Sequence, residues 1–181
     1  IAALGNFGAN TNNKNTIIAE ELITSKQFII NLLIENNLLN HFYAVDSWDK
    51  KNNKIIFDND LLLDKKYFLD NINEINTRII VDDIFNTYLD FTDLKKNKNG
   101  VYTLTFNYYS PYFAKEFLDI LLSSINETIR ADDLINSQLA IDFLTEQLQE
   151  SSNTFVKESV GRLIEAYLSS KMKAVVSIDG Y

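Results

Sequence analysis

The sequence predicts an α+β protein. A small mixed base carries a hairpin-containing sheet and flanking helices, followed by a long extended helix and a second helix leading to a last strand. Three observations predict this. Apolar stripes at spacings of three and four fill the first third of the chain. An alternating, turn-punctuated stretch before residue 110 has the pattern of an antiparallel hairpin. After Pro111, the only proline, a helical stripe continues to Gln149.

Each element follows from local chemistry. Ile1 to Gly8 is small and Gly-containing, and a polar run to Asn15 follows, so the stretch reads as a loop. Thr16 to Asn40 reads as helical: Ile17, Ile18, Leu22 and Ile23 form one stripe, and Phe28, Ile29, Leu32 and Leu33 a second. Ser25 is placed to cap the second helix, since its hydroxyl can accept from a free backbone N–H. Asp46 to Asn53 is polar around Trp48 and reads as a loop. Lys65 to Phe85 has Phe68, Ile72, Ile75 and Ile79 at helical spacing. Tyr88 to Leu94 alternates, Lys95 to Gly100 ends in Asn-Gly, and Val101 to Tyr109 is rich in β-branched and aromatic residues, which together read as the hairpin.

Ser110-Pro111 ends the strand and opens the long helix, because serine caps well and proline at the first helical position loses no hydrogen bond. Phe113, Phe117, Leu121, Ile125 and Ile129 lie on one i, i+4 line. The stripe thins from Asn126 to Asp133 and resumes at Leu134, Ile141, Leu144 and Leu148. A helix this long outruns a domain of this size, so its early turns are expected along the base, and its thin middle against another subunit or water. Leu134, Ile141 and Leu144 are the candidate oligomer interface. Ser151 to Thr154 reads as a break, Phe155 to Leu168 as an amphipathic helix, and Lys173 to Ile178 as a strand. The expected divisions are a base over 1–110, a helical arm over 111–173, and a strand over 174–181 that rejoins the base.

Composition limits the function. Of 181 residues, 46% are hydrophobic and 12% aromatic, enough for a packed core, and the net charge is −8. That charge argues against nucleic acid, whose phosphates require clustered Lys and Arg, and against docking on anionic lipid through a basic face. With no cysteine there are no disulfides, thiol catalysis or zinc–thiolate sites, and the compartment stays open. No apolar run is long enough to cross a bilayer. The start at Ile1, with no signal-peptide pattern, is read as that of a piece of a longer protein.

The sequence carries no catalytic motif, no metal-ligand motif and no cofactor motif. His41 is the only histidine and sits in Leu38–Tyr43, an apolar helix end. Asp82-Asp83 and Asp132-Asp133 are adjacent pairs, and neighbours on a helix diverge by about 100°. Asp58-Asn59-Asp60 starts like a calcium loop but lacks the Gly and Glu that follow in one. Gly5 and Gly8 have no Lys-Ser/Thr after them and make no phosphate loop. Asn126-Glu127-Thr128 is a sequon on a helix surface. Trp48, Tyr108 and Tyr109 have faces that stack on sugars, but aromatics so placed serve more often in a core or a hairpin.

The stretch from Gly100 to Phe117 resembles the signature of the Wzz chain-length determinants, the polysaccharide co-polymerases. Members show a hydrophobic strand, an aromatic, Ser-Pro, two residues, Ala and a further aromatic. Here these are Tyr109, Ser110, Pro111, Ala114 and Phe117. The likeness continues at Asn126, Ala140-Ile141, Leu144, Leu148, Leu163-Ile164-Glu165 and Met172, and near the start at Ser25 and Phe28. Tyr167 and Asn107 depart from residues common in the family. The resemblance implies a non-enzymatic, cofactor-free periplasmic domain, anchored in the inner membrane by flanking helices. It implies a homo-oligomer that sets the chain length of O-antigen or a related surface polysaccharide, with a polysaccharide polymerase and the nascent lipid-linked glycan as partners. Two readings stay beside it: the periplasmic part of a capsule or exopolysaccharide co-polymerase fused to a cytoplasmic tyrosine kinase, and an extracytoplasmic ligand-binding sensor. A carbohydrate-active enzyme is the least favoured.

Overall fold

Ser25 divides the first helical stretch in two. The computed structural model describes residues 2–3, 13–98, 100–150 and 153–176. Helix α1 spans Asn13–Thr24 and α2 spans Lys26–Glu35, and the Ser25 hydroxyl accepts from the Phe28 N–H at 3.3 Å. Asn37 ends α2 by adopting a left-handed backbone, φ 57°, which lets the Leu38 N–H reach back to the Leu33 carbonyl at 2.7 Å. A short α3, Leu39–Tyr43, follows. The fold is α+β, with helices around small antiparallel sheets.

Strands β2 (Val45–Asp49) and β3 (Lys54–Phe57) form a hairpin where the sequence had suggested a loop. Ile55-Ile56-Phe57 is a short strand-like run, but its partner Val-Asp-Ser-Trp-Asp is mostly polar, and the pair is only partly buried. Its turn uses no glycine. Asn53 takes the left-handed backbone at φ 49°, and the Asp49 carboxylate accepts from the Lys51 and Asn52 N–H groups.

The stretch after Lys65 is two helices, α4 (Lys65–Asp70) and α5 (Ile75–Phe91). Asp64 caps α4 through the Tyr67 N–H at 2.7 Å. Tyr88 to Phe91, expected to open the hairpin's first strand, instead form the last turn of α5. The apparent alternation is helical burial: Thr77, Ile84 and Tyr88 are buried at spacings of seven and four, and the Tyr88 hydroxyl donates to the Ile23 carbonyl at 2.9 Å. The hairpin itself is β4 (Thr92–Lys96) with β5 (Tyr102–Phe106), in register from Thr92↔Phe106 to Lys96↔Tyr102. Gly100, φ 78°, occupies the turn. Ala2–Ala3, expected in a loop, form β1 on the other edge of β5, so the sheet order is β1-β5-β4. Leu4 to Gly8 lie outside the described residues.

Helix α6 runs unbroken from Pro111 to Glu150, about 60 Å at 1.5 Å per residue. Ser110 is its N-cap, accepting from the Phe113 N–H at 3.3 Å. The chain divides into two units, Ile1–Ile125 and Asn126–Tyr181. The division falls at Ile125, not at Ser110, because Phe113, Ala114, Phe117, Leu118, Leu121 and Ile125 are all core residues of the first unit. In the second unit α7 spans Thr154–Val176, capped by Asn153 through the Phe155 N–H at 2.9 Å. Lys171 on α7 donates to Gln138 on α6 at 2.5 Å, so the two helices of this unit lie side by side.

The strand expected over 174–181 is corrected in part: Ala174 to Val176 belong to α7. Two valines after Lys-Met-Lys-Ala are too short a β-branched run to stop a helix built from good helix formers. Residues 177–181 lie outside the described residues.

Candidate functional site

The residues that carry the family likeness meet where β5 passes into α6. Ser110 is buried and holds the helix start. Its hydroxyl also lies 3.4 Å from the Asn53 side chain in the β2–β3 turn. Pro111 follows in the first turn. Ala114 is buried, and its lack of bulk lets α6 pack closely. Phe117 is fully buried, its ring 4.6 Å from that of Phe106 and 5.1 Å from that of Phe42. Tyr109 is half exposed, its ring edge-on to Phe91 at 5.8 Å. The neighbouring Tyr108 donates its hydroxyl to the His41 carbonyl at 2.7 Å, and burial raises that hydroxyl's pKa. Ser25 caps α2, Phe28 is half-buried, and Asn126 is exposed on α6. Most of this signature fixes how a helix leaves a sheet.

His41 sits inside the same junction. Its ring is stacked on Phe113 at 4.5 Å, nearly parallel, and meets Phe57 edge-on at 5.0 Å. The Nδ1 atom is buried without a hydrogen-bond partner, and burial lowers the pKa below 6.5. No carboxylate orients this ring through Nδ1, as a base in a nucleophilic triad would require. Asp82 pairs with Lys26 at 2.7 Å across α2 and α5, and Asp58 accepts from the Asp60 N–H in a tight turn. Among the described residues, no three His, Asp or Glu side chains could together hold a metal ion. No described helix is long and apolar enough to cross a membrane.

The second unit carries the surface feature. Leu134, Ile141 and Leu144 are half-buried, with Ser137 buried between them. Beside them runs another line that the sequence reading passed over: Ile135, Leu139 and Phe143, exposed by 58%, 62% and 61%. On α7, Phe155, Leu163, Tyr167 and Met172 are also exposed. The sequence signal was present as an i, i+4, i+8 line one residue out of phase with the stripe that was followed.

No protein-family model matches the chain, and no curated protein matches it in sequence.

Proposed function

We propose that this chain is a non-enzymatic assembly scaffold that sets the length of a surface polysaccharide by acting on a separate glycan polymerase. It would do so as an oligomeric periplasmic domain held at the inner membrane by flanking segments. One observation carries the reading: the second unit has almost no core of its own yet displays large apolar side chains. Its only buried described residue is Ser137, while Leu139, Phe143, Phe155 and Met172 face outward. A pair of helices in this condition gains stability from neighbours. The likeness of Tyr109-Ser110-Pro111 with Ala114 and Phe117 to the chain-length determinants supplies the process in which such a scaffold would serve.

The test is genetic. Deleting the gene and resolving the surface polysaccharide by gel electrophoresis is expected to replace a clustered length distribution with an unregulated one. Restoring the full gene is expected to restore the clustering. An unchanged distribution in the deletion strain would remove the polysaccharide role.

A further inference from the structure

Between α2 and the first turns of α5 lies an open groove of about 710 Å³. Such a volume falls within the range that takes a small molecule. Its apolar floor is Ile30, Ile72 and Val81. Its rim is polar, and the arrangement of charge on that rim is unusual. Arg78 stands one helical turn from two carboxylates on its own helix, Glu74 before it and Asp82 after it, spacings at which ion pairs form readily. It pairs with neither. Asp82 is taken by Lys26 from α2 at 2.7 Å, and Glu74 stands at the N-cap position of α5 with no capping hydrogen bond from its side chain. Among the described residues, the Arg78 guanidinium has no hydrogen-bond or ion-pair partner, and it opens on the groove.

We propose that this groove binds an acidic sugar, a uronate or a sugar phosphate, with Arg78 holding the anion. A guanidinium fork matches a carboxylate or phosphate with two parallel hydrogen bonds. The Asp82 carboxylate, which the Lys26 ammonium occupies through one oxygen, the Asn73 amide, and the Gln27 amide, whose nitrogen also donates to Asn31 at 2.9 Å, line the groove as planar polar groups that can meet hydroxyls. The floor of Ile30, Ile72 and Val81 matches the C–H face of a pyranose. A phosphate ion alone would use Arg78 but leave the apolar floor uncovered, and a neutral sugar would leave the guanidinium unpaired. The groove belongs wholly to the first unit, and its chemistry does not depend on the chain-length role.

The experiment uses isotope-labelled protein titrated with glucuronate, glucose 6-phosphate, glucose and inorganic phosphate, followed by amide chemical shifts. Shifts are expected on α2 and α5 with the two acidic sugars, about tenfold stronger than with glucose or with phosphate alone. Arg78→Gln is expected to remove that advantage, and Lys115→Gln, on α6, to leave it intact. Arg78 is exposed, so the variant should fold, and unchanged helical circular dichroism checks this. Equal response to glucose and glucuronate overturns the anion's role, and equal response to bare phosphate overturns the sugar. Binding unaffected by Arg78→Gln places the site elsewhere and overturns the proposal as a whole.

Discussion

His41 couples the stability of the helix junction to pH. Its ring lies between Phe113 and Phe57 with Nδ1 buried and unpartnered, so a proton there adds charge with nothing to receive it. Burial therefore lowers the folded-state pKa below 6.5, while the unfolded chain keeps the ordinary value. As pH falls through 6.5 the unfolded state takes up the proton first, so the folded state loses stability in the acid direction and recovers it above 6.5. His41→Phe keeps an aromatic ring in the stack and removes the titration. Urea unfolding at about pH 5.5 and pH 7.5 should show a smaller pH dependence for this variant than for the parent. An equal dependence would mean that the ring is protonated in place without cost. Tyr88 makes a similar point for a group that stays neutral. Its buried hydroxyl donates to the Ile23 carbonyl at 2.9 Å, and Tyr88→Phe should cost about 1–2 kcal/mol in the same measurement. The apolar setting of His41 was legible in Leu38–Tyr43, but its lack of a partner was not, because that depends on Phe57 and Phe113 arriving from distant parts of the chain.

At the scale of elements, caps and turns decided what could be read. Ser25 and Ser110 announced their helices because an N-cap is a local device, made by one side chain and an N–H three residues on. Lys95 to Gly100 announced the β4–β5 hairpin for the same reason. What was missed is non-local. Ala2–Ala3 are a strand only because the edge of β5 is free to receive them. The β2–β3 turn depends on Asn53 in a left-handed backbone, where glycine would have been the visible signal. Tyr88 shows the ambiguity of a short alternating run, which the long-range burial of Ile84 and Tyr88 resolved in favour of helix. Ser110→Ala tests how much one cap contributes. It removes the acceptor for the Phe113 N–H at a buried helix start, and should lower stability by about 1 kcal/mol in thermal or urea unfolding. A change within a few tenths would mean that packing by Phe113 and Phe117 holds the junction unaided.

For the molecule as a whole, the distribution of buried residues matters more than the number of helices. Every described apolar residue with almost no exposure belongs to the first unit, from Ala19 to Ile125. The second unit holds its helices by half-buried contacts and the Lys171–Gln138 bond. Local opening should therefore be easier in the second unit. Hydrogen exchange on the isolated chain is expected to give markedly lower protection over 126–150 and 154–176 than in α2 and α5. The same imbalance separates two kinds of substitution on α6. Ile141→Asp places a charge on the half-buried side and should loosen the second unit itself, seen as reduced helical signal or faster exchange there. Phe143→Asp lies on the exposed line with Ile135 and Leu139, so it should leave the helical signal near that of the parent. If the proposed scaffold assembles through this line, native mass spectrometry should then find Phe143→Asp dispersed into smaller species, because a buried unpaired carboxylate is costly in an interface and harmless in water. If the Phe143 variant keeps the parent's assembly while the Ile141 variant loses it, the contact lies on the side of Leu134, Ile141 and Leu144, and the outer line serves some other neighbour. If both keep it, α6 takes no part in assembly, and the scaffold reading loses the observation on which it stands.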